Sequence, residues 1–128
     1  MQQDVILVFD LGSEENPKIA REIRALGVYS EIHPHDLTAA QLAEIPNIRG
    51  IILNGGKNRV VNGVAIDASD AIYALDVPVL AVDHEAKRGE KLAAWPADDA
   101  QRSALLSTFL FDTCHCGKTW NTENFIED

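Results

Sequence analysis

Asp83, His84 and Glu85 arrive together after a short apolar run, Val77-Pro78-Val79-Leu80-Ala81-Val82. A carboxylate, an imidazole and a second carboxylate could perform acid–base chemistry or hold a metal ion. Adjacent residues form a relay poorly, because neighbours on an extended chain point apart while a base and its orienting acid must converge. The plainer alternative is a polar loop that caps the next helix. A second place is Asn54-Gly55-Gly56-Lys57-Asn58, where paired glycines could turn backbone N–H groups toward a ligand, as an oxyanion hole or anion nest. The alternative there is a tight turn that needs positive φ.

His33, His35 and Asp36 could contribute to a zinc site, and Cys114-His115-Cys116 is a distant and equally incomplete set. A strand end followed by a helix start explains the first, and core or near-surface cysteines without a reaction explain the second. No metal and no cofactor is expected from these patterns.

The elements around these residues alternate between strand and helix. Val5 to Phe9 is a continuous apolar run ending at Asp10, which predicts a buried strand. Ser13 is placed to cap a following helix, with Glu14 and Glu15 in its first turn and Ile19, Ala20, Ile23 and Leu26 on its core face. Gly27 should end it. Val28 to His33 alternates and predicts a second, less buried strand. Thr38 and Gln41 have capping-box spacing for a short helix through about Ala43. Gly50 to Leu53 is a third strand with Asn54-Gly55-Gly56 as its turn, and Lys57 to Gly63 reads as loop. Asp67 to Leu75 could be helical, the run before Asp83 is a fourth strand, and Ala86 to Ala94 reads as a weak helix. Pro96-Ala97-Asp98-Asp99 starts a stronger helix, along which Ala104, Leu105, Thr108, Phe109 and Phe111 recur. The tail from Cys114 has no clear periodicity. This order predicts one three-layer α/β/α domain over residues 1–128, with a mostly parallel, reduced flavodoxin-type sheet.

Composition narrows the function classes. The 128 residues suit one domain, and a hydrophobic fraction of 46% is that of an ordinary globular chain. Asp and Glu outnumber Lys and Arg by 20 to 11, and the net charge of -9 opposes binding to nucleic acid or anionic membrane. No apolar run is long enough to span a bilayer, no signal-peptide pattern opens the chain, and 2 cysteines make no disulfide framework. The expectation is a cytoplasmic protein.

Several segments resemble a known family. Phe9-Asp10-Leu11-Gly12-Ser13, Ile19 to Arg24, Gly27 to Glu31, His33 to Thr38 and Gly50 to Gly56 are similar to the glutamine amidotransferase domain of GMP synthase. That domain is a class I amidotransferase with a Cys-His-Glu triad. Phe109 to Glu127, with Cys114 and Cys116, looks like the end of the same domain. The resemblance implies the family's α/β fold and a place in purine biosynthesis.

The departures lie at the chemistry. The family's nucleophile elbow reads Gly-Ile-Cys-Tyr-Gly, and the same register here gives Ala81-Val82-Asp83-His84-Glu85. Asp83 therefore stands at the cysteine position, and both glycines of the turn are gone. The downstream block with the family's His-Pro-Glu segment is absent; His84-Glu85 is at most a remnant of it. The oxyanion turn keeps Gly55 and Gly56, with Asn54 where the family has Ser. A carboxylate is a poor nucleophile toward an amide, and its attack would give a high-energy anhydride. Losing a nucleophile typically costs several orders of magnitude in rate. The expectation is a noncatalytic amidotransferase-like domain, with Asn54, Gly55 and Gly56 as ligand-binding residues. Its expected partner is a separate ATP-pyrophosphatase synthetase subunit, and a homodimer would cover sheet surface left by the missing elements. The alternatives are a residual, ammonia-supplying glutaminase subunit, or a different hydrolytic activity at Asp83, His84 and Glu85.

Overall fold

A computed structural model describes residues 4–12, 15–34, 37–55, 60–61, 64–65, 70–75, 77–83, 89–92 and 94–116. In chain order the strands are β1 (Val5–Leu11), β2 (Tyr29–Pro34), β3 (Ile48–Gly55), β4 (Val60–Val61), β5 (Val64–Ala65), β6 (Val79–Val82) and β7 (Glu90–Leu92). The helices are α1 (Asn16–Ala25), α2 (Ala39–Ala43), a 3-10 helix (Asp70–Leu75) and α3 (Asp99–Ser107), which runs on as a π-helical turn over Thr108–Thr113.

The main sheet has 5 strands in the order β2-β1-β3-β6-β7, and all its neighbours are parallel. With the small β4–β5 hairpin set aside, this is the flavodoxin-type order. β1 is apolar on both faces because both are covered. Ile6, Val8, Ile52, Leu80 and Val82 pack under Ile19 and Ile23 of α1 and Leu106, Phe109 and Leu110 of α3 and its extension. Leu7, Phe9, Leu11, Ile51, Leu53 and Ala81 face Leu42 of α2 and Ile72 of the 3-10 helix. The domain is thus three-layered, as the sequence predicts.

Local chemistry accounts for most boundaries. The Gly27 N–H donates to Arg24 O and the Val28 N–H to Ile23 O, while Gly27 takes φ +95; this is a Schellman end. Thr38 and Gln41 close the expected capping box. Asp98 caps α3 by accepting from the Gln101 N–H at 2.9 Å. Arg102 of α3 is buried, and its Nε donates to both Glu22 carboxylate oxygens at 2.7 and 3.0 Å. Its other nitrogens donate to Pro96 O and to the Asp99 carboxylate, so one side chain ties α3 to α1.

Some expectations are corrected. α1 begins at Asn16, with Glu15 at the N-cap position making no side-chain cap bond and no acid in its first turn. Pro17 favours this later start, since a first-turn residue loses nothing by lacking an N–H. Ser13 and Glu14, expected to open the helix, lie outside the described residues. Asn54 and Gly55 belong to β3 itself and not to a turn. Val60–Val61 and Val64–Ala65 form a hairpin within and beyond the expected loop. Ala104 and Thr108 of the expected core stripe are exposed; Leu106, Phe109 and Leu110 are buried.

The largest correction is β7. The segment expected to be a weak helix pairs Glu90, Lys91 and Leu92 in parallel with Leu80, Ala81 and Val82. Only residues 83–89 connect β6 to β7, fewer than the dozen or so that a parallel crossover usually takes. Gly89 makes this return possible: its φ is +96, and a Cβ there would collide with the Val79 carbonyl.

Candidate functional site

In open sheets of this order, ligands bind beyond the carboxyl ends of the strands where the strand order reverses. Here that point lies between β1 and β3. Asp10, Asn54 and Val82 stand side by side on β1, β3 and β6, and Leu11 and Gly55 are the next pair. Asp83 follows Val82 directly, so the expected glycine and acid sites share one end of the sheet. Gly12 turns the chain at φ +112, donates its N–H to Asp10 Oδ1 at 3.1 Å, and bridges to Gly55.

Asn54 is fully buried at this end. Its Nδ2 donates to Asn16 Oδ1 at 2.7 Å, and its Oδ1 accepts from Trp95 Nε1 at 2.9 Å. Asn16 is the first residue of α1 and is itself buried. Trp95 lies between β7 and α3 and packs against the α1–α3 face of the core. The network joins three elements at the strand tip. Sequence reasoning finds Asn54 but misses both of its partners, because neither Asn16 nor Trp95 carries a local pattern that marks it.

Asp83 is half-buried and adopts φ +51, the left-handed region that a non-glycine residue enters at a cost. Its backbone N–H donates to Leu92 O at 2.8 Å. The chain thus bends at Asp83 without a glycine at that position. Gly56, His84 and Glu85, the remaining expected site residues, lie outside the described residues, as do His35 and Asp36. His33 contacts Glu31 at 2.9 Å and the Phe9 ring at 6.4 Å between centroids. Among the described residues no group of three His, Cys, Asp or Glu could hold a metal ion.

The cysteines occupy the opposite end. Cys114 packs against Gly50, which has no room for a Cβ beside the sulfur. At the usual rise per residue, Gly50 and Gly55 are about 16 Å apart along β3. Burial, with a smaller effect from Cys116, pushes the Cys114 thiol up to about 12. Burial and Asp4 push Cys116 up to about 11 against the opposing pull of Arg49. Both thiols are held neutral and away from the candidate site, so neither supplies a thiolate there.

The fold and this arrangement of strand tips agree with a family match over residues 7–82, described as glutamine amidotransferase class-I, and the chain belongs to that family. Its relatives are more particular. A Bacteroides thetaiotaomicron protein provisionally named GMP synthase (glutamine-hydrolyzing) 2 is 50% identical over 129 residues, covering 100% of this chain and 30% of its own length. The GMP synthase (glutamine-hydrolyzing) of Bacillus velezensis is 48% identical over 79 residues, 62% of this chain and 15% of that protein. A solved structure of a Thermoplasma acidophilum protein, provisionally described as one subunit of a GMP synthase, covers 64% of this chain and 41% of its own at 22% identity, with a TM-score of 0.44. The chain therefore spans a minor part of the curated relatives it matches. The Bacteroides match runs through 129 residues for a chain of 128, leaving no room for a long insertion.

Proposed function

We propose that this chain is an amidotransferase-like portion of a GMP synthase that no longer hydrolyses glutamine and acts by binding a synthetase portion or a small ligand. The observation that carries this reading is Asp83 at the tip of β6, where the family resemblance puts the cysteine nucleophile. Cys114 and Cys116 support it, since both are buried at the far end with their thiols held neutral. The collinear Bacteroides match supports a contraction shared with that relative. The synthetase portion is either a separate subunit or further sequence in a longer chain. The excess of acidic residues and the absence, among the described residues, of a helix long and apolar enough to cross a membrane favour a cytoplasmic setting. β2 stands at the sheet edge with Ile32 exposed, which favours self-association as a homodimer along that side.

The test is the nitrogen source. The chain is combined with a GMP synthetase portion, and GMP formation is measured with ammonium or with glutamine. Formation from ammonium alone is the expected result; equal formation from glutamine contradicts the proposal. A second possibility, a different hydrolytic activity at Asp83, is favoured by its φ of +51, which leaves a sharp turn at the strand tip. Asp83→Ala should then abolish hydrolysis while leaving the fold intact.

A further inference from the structure

Asn54 presents a choice that the backbone does not make for it. A primary amide has a donor end and an acceptor end of nearly the same shape, and only its partners fix the orientation. Asn16, also an amide, could accept or donate. Indole nitrogen only donates. Trp95 therefore sets the network: its N–H takes Asn54 Oδ1, which turns Nδ2 toward Asn16 Oδ1. Asn54 is 0% exposed and Asn16 is 5% exposed, whereas Trp95 is only half-buried. Trp95 is thus the member of the network nearest solvent. It covers a buried amide acceptor at the carboxyl end of β3, beside the point where sheets of this order bind ligands.

We propose that the Trp95 indole occupies a ligand position at the tip of β3, and that displacing it uncovers a site for a small molecule whose side chain bears a primary amide. Such a donor would replace the indole N–H at Asn54 Oδ1. A carboxylate in the same place would have no proton to give. This inference rests on the reading of the chain as a noncatalytic amidotransferase relative and adds a reason for inactivity independent of Asp83: the position is already filled from within.

The test compares wild type, Trp95→Phe and Trp95→Ala, titrated by calorimetry with L-glutamine and with L-glutamate, each variant first checked by urea unfolding. A self-occupied site lowers apparent affinity by the fraction of molecules that are open, so Trp95→Ala should bind L-glutamine about tenfold or more tightly than wild type. Trp95→Phe keeps a ring in place but loses the N–H that holds it on Asn54 Oδ1, so its affinity should fall between wild type and Trp95→Ala. L-glutamate should gain nothing from Trp95→Ala. Equal glutamine binding by wild type and Trp95→Ala overturns the proposal, as does an equal gain for glutamate. If Trp95→Ala does not fold, exchange of the Trp95 indole proton in the nitrogen-15-labelled wild type decides. Protection that excess L-glutamine relieves supports the proposal; an unprotected proton, or one glutamine leaves unchanged, overturns it. Ammonia is assayed in the same samples. Release by wild type would end the noncatalytic reading and leave the binding comparison standing. Binding by Trp95→Ala without release supports both ideas.

Discussion

β3 runs between two environments of opposite character. At Gly50, near its amino end, it passes under Cys114 and Phe109, and the missing Cβ makes room for a sulfur whose proton burial holds in place. At Asn54, near its carboxyl end, it carries a fully buried amide with one partner on α1 and another before α3. The first end buries groups able to react and keeps them inert. The second end gathers polar groups at the edge where sheets of this order bind ligands and satisfies them internally. A cysteine in this sequence is therefore poor evidence for thiol chemistry, while an asparagine and a tryptophan far apart in the chain define the polar centre.

The sharpest way to break this contrast is Gly50→Ala. The new methyl collides with Cys114 Sγ and presses on Ile6 Cδ1 at 3.2 Å, in a core that cannot yield easily. Urea unfolding should show a loss of about 2–3 kcal/mol. Adding Cys114→Ala should restore much of it, and a double-mutant cycle measures the coupling. No rescue would mean that the strand does not meet the cysteine this closely.

At the other end, Asn54→Leu removes the shared amide and leaves Asn16 Oδ1 and the Trp95 N–H without these partners. A loss of about 2 kcal/mol is expected by the same method, since an unsatisfied buried polar group bears its desolvation cost. Asn16→Ala alone should cost less.

The two ends also differ in their response to pH. Unfolded thiols lose protons from about pH 9 upward, whereas the folded chain holds them to about 12 at Cys114 and 11 at Cys116. Above pH 9 the folded state binds more protons, so stability falls as pH rises through that window. The Cys114→Ala/Cys116→Ala variant should show a flatter alkaline stability profile. A thiol reagent at pH 8 should label the native wild type slowly and the urea-unfolded chain rapidly.

The smallest expected effect is a gain. Asp83→Gly removes a side chain from a residue at φ +51 and should stabilise the fold by about 1 kcal/mol, read as a higher urea midpoint. A loss instead would show that the Asp83 side chain makes contacts worth more than the backbone cost.

Much of the fold is legible in the sequence because its causes are local. The apolar run of β1, the glycine end of α1 and the capping box of α2 each follow from neighbouring residues. β7 is hidden because Glu90 and Lys91 are exposed on a short edge strand and only Leu92 turns inward, too little for a strand pattern. The start of α1 is misleading because Ser13-Glu14-Glu15 imitates a cap while Pro17 favours a later first turn. At the site, Asn54, Gly55 and Asp83 emerge from the strand-tip rule and the family register. Trp95 does not, since its bond to Asn54 spans 41 positions and no spacing rule reaches that far.

The most direct measurement is ammonia release from L-glutamine by the purified chain, with and without a synthetase portion, alongside Asp83→Ala and the double cysteine variant. The account predicts no release above the buffer rate in any sample. Release by the wild type that disappears in Asp83→Ala, or in the cysteine variant, would contradict it and identify the group that had taken over the nucleophile's role.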